Sequence, residues 1–438
     1  MAGLQFTSHQ ANDVYVTQAD WHHTRTVTEN HHEPGSFVAF LGCEWTALKH
    51  KGGDHNVFYL RDQPTLHRAS RWFEDPEDDW PDAPTPPDLY RRLEGVEALI
   101  NLHVGGFTSD LDYHDPRLEK LIEIHCTHAT SRWFAIDALS RGYQPGIVGS
   151  SDGVSGRVGA CRPGRRQSRN LRNGVTGVYA SGLDREALWE AFQARRCYGT
   201  TGERILLWVE ADGHAMGEAF EAASPPEIRV SVTGTAAIES VILRRGGAVI
   251  VERKIAEPDR AHPERYRLLW RGSRQRGTSR DQQLSWDGRL TASGGRLEPV
   301  STVDFYQPVD RLEQPSEDTL TWCSDTAGNE AGVVFDAELT DGATFEFTSP
   351  PCSFNCNRDE VEAGFRLELP EILDGGVRFE RALDPHGPRE AEVRFRDVDM
   401  PRGVHPYWVE VVQLDGARAW SSPLYIDLQS ADGNPQQG

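Results

Sequence analysis

The sequence predicts an α/β domain followed by an antiparallel β-rich domain. In the first half, short apolar runs of strand type alternate with helical patterns at a spacing typical of parallel βα units. From about Glu227 onward, short segments alternate apolar with polar residues and are separated by turns rich in Gly, Asp, Asn and Pro, which is typical of an antiparallel sandwich. The 438 residues exceed what one ordinary core accommodates. We therefore expect a barrel or doubly wound domain over 1–220, a β-sandwich over 227–428 and a disordered tail over 429–438.

Composition excludes several classes of partner. The formal net charge of −21 argues against nucleic acid, because phosphate backbones need a basic face. No apolar run approaches the length of a membrane span, and the first residues lack the basic and apolar regions of a secretory signal. The seven cysteines form no disulfide or zinc-site spacing. We expect a cytoplasmic protein with reduced thiols that binds neither membrane nor nucleic acid.

The stretch from Phe37 to Leu60 carries the first candidate site residues. Its apolar run FVAFLG is of strand type and is followed by Glu44, and after a glycine-rich turn the run HNVFYL opens on His55. Two adjacent strands would each present one metal-competent side chain at neighbouring ends. The alternative is a β-hairpin with a solvated Glu and His at its tip.

The same pattern recurs along the first half of the chain. Predicted helices cover TQADWHHTRTVTENHH and, capped by Asp184, DREALWEAFQARRCYG. Catalytic groups of α/β barrels collect at the carboxyl ends of strands. A series of polar residues at strand ends therefore favours a barrel with a site at one rim. The members of this series are His9, Glu44, His103, His128 and Asp152.

A set of motifs in this order carries a family resemblance: GCEWT, GGDHNV, EIHCTHATS, GSSDGVSGRVG, ARRCYGTTGERILL and the terminal YWVEVVQLDGARAWSSPLYID. The chain resembles a large uncharacterised family of bacterial and archaeal proteins within the PHP (polymerase and histidinol phosphatase) superfamily. The resemblance implies a distorted (β/α)7 barrel. It also implies two or three divalent metals (zinc, manganese or iron) and hydrolysis of a small phosphorylated substrate.

Residue roles follow from the resemblance, position by position. Glu44 resembles the metal-bridging glutamate of G-Y-E-W-T, and His55 resembles the histidine of G-G-H-x-N-V. The implied metal ligands are His9, Glu44, His55, His128 and Asp152. The implied catalytic residues are Glu44, His103 and Asp152. Arg157 or Arg196 is the candidate to clamp phosphate oxygens, because the planar guanidinium matches their geometry.

Several positions depart from the family pattern. The H-x-H motif that opens the family's barrel has no counterpart, and Val154 and Leu102 stand where histidines are expected. We therefore expect an incomplete barrel that lacks its first strand. Two interpretations stay open: a truncated reading of an active enzyme, or a degenerate scaffold that no longer catalyses.

The second domain offers a further alternative. Its aromatic residues are of the kind that stack on sugars, so a carbohydrate- or protein-binding sandwich is a third hypothesis. The aromatics in question are Trp270, Trp286, Trp408 and Trp420. Strand aromatics are more often part of a core.

Overall fold

Five α-helices and 28 β-strands form the regular structure of residues 3–74, 78–153, 171–274 and 282–429, the parts of the chain that the computed structural model describes. The helices are α1 (Gln18–Asn30), α2 (Pro86–Arg92), α3 (Arg132–Ser140), α4 (Arg185–Gln193) and α5 (Arg358–Glu362). The predicted helices are confirmed at α1 and α4. Asp184 caps α4 by accepting a hydrogen bond from the Ala187 amide at 2.8 Å. Among the described residues, no helix is long and apolar enough to cross a bilayer.

The strands fall into two groups along the chain. In the first half they are β1 (Phe6–Ser8), β2 (Val38–Thr46), β3 (Asp54–Tyr59), β4 (Ala98–Leu102), β5 (Glu119–His125), β6 (Gly146–Gly149), β7 (Val175–Val178), β8 (Cys197–Thr200), β9 (Leu206–Ala211), β10 (His214–Ala215) and β11 (Ala219–Ala222). The second half contains β12 (Ile228–Thr233), β13 (Ile238–Arg245), β14 (Ala248–Lys254), β15 (Arg265–Ser273), β16 (Leu284–Ser285), β17 (Gly288–Val303), β18 (Arg311–Ser316), β19 (Thr319–Cys323), β20 (Asp325–Thr326), β21 (Glu330–Ser349), β22 (Cys352–Asn357), β23 (Phe365–Leu369), β24 (Leu373–Arg381), β25 (Glu390–Phe395), β26 (Gly403–Gln413), β27 (Arg418–Ser421) and β28 (Leu424–Leu428).

The first sheet has six strands in the order β1 to β6 and is not a (β/α)7 barrel. Strand β1 runs parallel to β2, and β4, β5 and β6 run parallel to one another, but β3 is antiparallel to both of its neighbours. A parallel crossover needs a dozen residues or more, and the segment 47–53 between β2 and β3 is shorter than that. The predicted α/β barrel is therefore wrong: βα units are confined to part of this sheet, and strands dominate the described chain.

The carboxyl-terminal strands join the first half of the chain. An eight-stranded sheet has the order β11-β28-β26-β27-β8-β7, with β13 and β14 added alongside β26. Strand β27 is antiparallel to β8, with Trp420 opposite Gly199. One buried cluster contains side chains from both halves of the chain: Leu102, Ile122 and Phe134 from the first half, and Trp408, Trp420 and Tyr425 from the last strands. Strand pairing therefore crosses the predicted boundary between 220 and 227.

A separate core lies farther along the chain, in what we call the distal unit (residues 265–381). Its main sheet has the order β18-β19-β17-β21-β15-β24-β23, and every pair in it is antiparallel.

The four candidate sugar-stacking residues are all fully buried: Trp270, Trp286, Trp408 and Trp420. None of these four aromatic residues is therefore placed to stack on a sugar. The predicted tail falls outside the described residues from 430 onward.

Candidate metal centre

Strands β2 and β3 place Glu44 and Asp54 on one face of the first sheet. The register pairs Glu44 with Asn56, Trp45 with His55 and Thr46 with Asp54. Directly opposed residues share a face and successive residues alternate. Glu44, Asn56 and Asp54 therefore face one side, and Trp45 and His55 face the other.

Three side chains from different strands converge on the Glu44 side. Glu44 lies within β2, His103 directly follows β4, and Asp152 follows β6 by three residues. One ligand atom from each of these residues lies within 4.8 Å of the others. Among the described residues, this is the one group of three or more His, Cys, Asp or Glu side chains close enough to hold a metal ion. His128, in the loop after β5, adds Nε2 at 2.9 Å from Asp152 Oδ2. The predicted strand-end positions of His103, His128 and Asp152 are thereby brought together.

The His103 ring is held by a buried carboxylate. Its Nδ1 lies 2.9 Å from Glu123 Oε2, and Glu123 also accepts hydrogen bonds from the Ser150 hydroxyl and the Val104 amide. Burial alone would lower the pKa of His103, but Glu123 and the other carboxylates outweigh it and raise the pKa well above its usual 6.5. With Nδ1 donating to Glu123, Nε2 is directed at the cluster, 3.7 Å from Asp152 Oδ2. This is the carboxylate–histidine arrangement that orients metal ligands.

Burial sets the charge state of the acidic residues. It raises the pKa of Glu44 to about 7, with His103 opposing and Asp152 reinforcing the shift. It raises the pKa of Asp54 to about 8, with the Glu44 carboxylate adding to the effect. Burial would also raise the pKa of Asp152, but the His128 hydrogen bond and the His103 charge lower it overall. Asn12 donates to Glu44 Oε1 at 2.7 Å.

The donor set fits a divalent cation. Asp54 is 1% exposed, its Oδ2 accepts from the Phe107 amide at 2.6 Å, and its Oδ1 has no hydrogen-bond partner among the described residues. A buried carboxylate oxygen without a donor is costly unless a cation compensates it. Imidazole and carboxylate ligands together suit zinc, manganese and iron. The backbone at Gly105 packs directly against the cluster, because a Cβ there would lie 2.5 Å from His103 Nε2.

His55 does not belong to this cluster. Its Nε2 lies 3.6 Å from Glu119 Oε1 and 3.4 Å from the Tyr90 hydroxyl, and its ring packs edge-on against Trp45. His114 completes that group with Nδ1 2.5 Å from Glu119. Counted from the paired glycines of G-G-H-x-N-V, the motif's histidine falls on Asp54 rather than on His55. His55 is one residue away from that motif position, and one residue along a strand means the opposite face of the sheet.

The other predicted site residues lie elsewhere or outside the described chain. His9 follows β1, is half-buried with a pKa lowered by burial, and is not in the three-residue group. Arg196 pairs with Glu190 on the surface at 2.9 Å, so this contact ties it to α4 rather than to the cluster. Arg157 and Val154 lie outside the described residues.

Sequence reasoning missed three buried acids around the cluster. Asp54 and Glu123 are described above, and Asp13 accepts hydrogen bonds from the Thr46 and Ala69 amides at 2.9 and 2.6 Å. Burial raises the pKa of Asp13 to about 8. Glu123 stands inside the apolar run LIEIH, and an acid in such a run is a signal in itself because unpaired buried carboxylates are rare.

The fold and the cluster define a candidate divalent-metal centre built on a mixed sheet. Residues 2–104 and 143–225 match a family described as "Protein of unknown function (DUF3604)". Uncharacterised proteins of Chlamydia are similar to parts of the chain. The match to Chlamydia pneumoniae is 36% identical over 83 residues, covering 18% of this chain and 13% of the relative. The match to Chlamydia trachomatis serovar D is 31% identical over 252 residues, covering 50% of this chain and 38% of the relative.

The chain therefore spans between about an eighth and two fifths of the length of these relatives. No solved structure matches it. The matched family segments contain Glu44, Asp54, His103 and Asp152 but not Glu123 or His128.

Proposed function

We propose that the Glu44–His103–Asp152 cluster binds divalent metal and hydrolyses phosphoesters. The observation that carries the proposal is the convergence of one ligand atom from each of these three residues within 4.8 Å. The buried Oδ1 of Asp54, which no described residue contacts by a hydrogen bond, supports it. The resemblance to the PHP superfamily supplies the substrate class, because the matched family's description names no activity.

Each residue of the cluster would have a distinct role in binding the metal. Glu44 and Asp152 supply anionic oxygen ligands, and His103 supplies Nε2 with its ring fixed by Glu123. Asn12 and Thr46 hold the Glu44 carboxylate by hydrogen bonds at 2.7 and 3.3 Å. A bound zinc, manganese or iron ion supplies activation of water and neutralises charge on the phosphoryl oxygens. The backbone at Gly105 restricts the space above the ligands.

Metal analysis and turnover test this proposal together. Metal content is measured on the purified chain and on a version extended upstream of Met1. Binding of Mn²⁺ and Zn²⁺ is then titrated calorimetrically, and both forms are assayed with phosphomonoesters and phosphodiesters. We expect stoichiometric metal and metal-dependent hydrolysis that is lost in Glu44→Gln. Absence of bound metal and of turnover in both forms would overturn the proposal.

A non-catalytic metal-binding scaffold is the second candidate. It is favoured by one observation, that His55 lies on the opposite face and so leaves the centre with fewer imidazole ligands than the resemblance implies. Metal binding without turnover on the whole phosphoester panel would select this candidate.

A further inference from the structure

One loop of the distal unit rests against the loop that carries His128. We call residues 327–329, between β20 and β21, the brace loop. The Thr130 amide donates to the Ala327 carbonyl at 2.9 Å, and Ala327 packs with Ala129 and Leu171 in a small buried apolar cluster. Gly328 has φ +87°, and a Cβ at this position would overlap the Thr130 carbonyl oxygen. The two loops are therefore in direct contact, with no space between them.

A second buried contact fixes the brace loop to the segment after residue 170. Asp304 Oδ1 lies 3.1 Å from Arg172 Nε, and the Tyr306 ring lies 4.5 Å from the same guanidinium. The Asn329 amide nitrogen donates to Asp304 Oδ2 at 2.6 Å, which ties the brace loop to this pair. Arg172 is only 2% exposed.

Both contacted segments are attached to the metal centre. Thr130 is two residues from His128, in the same loop. This loop is closed by the Ser131 amide, which donates to the Ile124 carbonyl at 2.7 Å. The Leu171 amide donates to the Thr127 carbonyl at 2.8 Å and so joins the segment after residue 170 to the loop. The Arg172 carbonyl accepts from His125 Nε2 at 3.0 Å. His128 in turn reaches Asp152 at 2.9 Å.

We propose that the distal unit is a positioning element of the metal centre, and that its brace loop sets the place of His128 beside Asp152. The inference rests on the proposed function, because it takes the cluster to bind metal. The loop of residues 126–131, which carries His128, loses conformational entropy when it is ordered. In the folded protein, contacts with the distal unit already order this loop before metal binds. The affinity for metal therefore depends on a part of the chain that contributes no ligand.

A matched pair of glycine substitutions tests the inference. Gly328→Ala and Gly342→Ala both place a Cβ on a residue with positive φ, +87° and +78°, within the distal unit. The Cβ at position 328 meets the His128 loop, whereas no atom of the described residues lies within 4 Å of one at position 342. We expect the dissociation constant for Mn²⁺ to rise about tenfold or more in Gly328→Ala and to stay at the wild-type value in Gly342→Ala.

The melting temperatures of Gly328→Ala and Gly342→Ala measure the general destabilisation that a Cβ at a positive-φ residue causes in both variants. A wild-type dissociation constant in Gly328→Ala would overturn the inference, whatever its melting temperature. Should Gly328→Ala fail to fold, Asp304→Asn replaces it; it keeps the shape of the side chain and removes its charge from Arg172. The expected effect is then a several-fold weaker affinity, and an unchanged affinity would again overturn the inference.

Hydrogen exchange distinguishes failure of this inference from failure of the proposed function. If the wild-type protein binds no metal, the proposed function fails, and the metal-free variants are compared by amide exchange over residues 126–131. Faster exchange in Gly328→Ala than in Gly342→Ala supports the brace. Equal exchange overturns it.

Discussion

Asp54 and His55 are adjacent in the chain, but Asp54 shares the face of Glu44 and His55 packs edge-on against Trp45 on the other side of the strand. Substitution of each residue should therefore affect different properties. Asp54→Asn should weaken Mn²⁺ binding about tenfold or more, because it removes a buried carboxylate from the sheet face that carries Glu44, beside the cluster. His55→Gln should leave the affinity unchanged and lower the free energy of unfolding by about 1–3 kcal/mol, because Glu119 loses a buried partner.

Calorimetric titration and urea unfolding of both variants measure these effects. Weaker metal binding in His55→Gln than in Asp54→Asn would contradict the assignment of the two faces.

Glu44→Gln should abolish metal binding and yet stabilise the metal-free protein at alkaline pH. Burial raises the pKa of Glu44 to about 7, so the folded state holds a proton that the unfolded state releases above about pH 4.5. Stability is therefore lost as pH rises from about 4.5 to 7, to an extent on the order of 3 kcal/mol. The glutamine keeps an oxygen to accept from Asn12 without the charge.

Melting curves in EDTA at pH 5 and pH 8 measure this effect. The variant should exceed wild type at pH 8 and match it at pH 5, and added Mn²⁺ should raise the melting temperature of wild type alone. A variant less stable than wild type at pH 8 would contradict the prediction.

His125 should make the protein sensitive to mild acid. Its Nε2 donates to the Arg172 carbonyl, its Nδ1 accepts from the Thr130 hydroxyl at 2.8 Å, and its ring stacks on Trp420. Burial lowers its pKa to about 4; the Arg172 charge adds to this effect, and Glu123 opposes it. Between pH 6.5 and 4 the unfolded state binds a proton that the folded state excludes, so stability falls as pH falls.

From pH 7.5 to pH 5, wild type should lose about 2 kcal/mol more than His125→Gln does. Urea unfolding at the two pH values measures the difference. Equal losses in the two proteins would show that His125 does not titrate in this window.

Glu410→Gln should destabilise the protein strongly. Glu410 is fully buried and lies within 3.0 Å of three arginines, Arg132, Arg244 and Arg418. Burial opposes its ionisation, but these three cations hold its pKa well below the usual 4.5. Removing the charge leaves the arginines buried without it, at a cost of about 3–5 kcal/mol.

The matched control is Glu190→Gln, which breaks the exposed pair with Arg196 and should cost less than about 1 kcal/mol. Urea unfolding near pH 7 compares the two variants. Similar losses would contradict the prediction.

The sequence indicated where the strands of the first sheet end better than it indicated how they are arranged. His103, His128 and Asp152 were found because apolar runs stop just before them, and burial of β4, β5 and β6 explains those runs. The end of β2 was placed at Gly42, whereas the strand continues to Thr46, so Glu44 and His55 were interpreted as end residues rather than as members of opposite faces. Periodicity does not reveal whether neighbouring strands pair in parallel; the connection 47–53 between β2 and β3 does, because it is too short for a parallel crossover.

The pairing of β27 with β8 has a consequence for how the protein is made. A ribosome completes β8 at residue 200, but its sheet partner β27 emerges more than two hundred residues later. Strand β6, which precedes Asp152, also depends on late residues, because the Ile147 amide donates to the Ser422 hydroxyl at 2.9 Å. Contacts of such long sequence separation form slowly. A nascent chain therefore carries an unfinished candidate metal centre until residue 422 has been synthesised, and it exposes an unpaired sheet edge that other chains can bind.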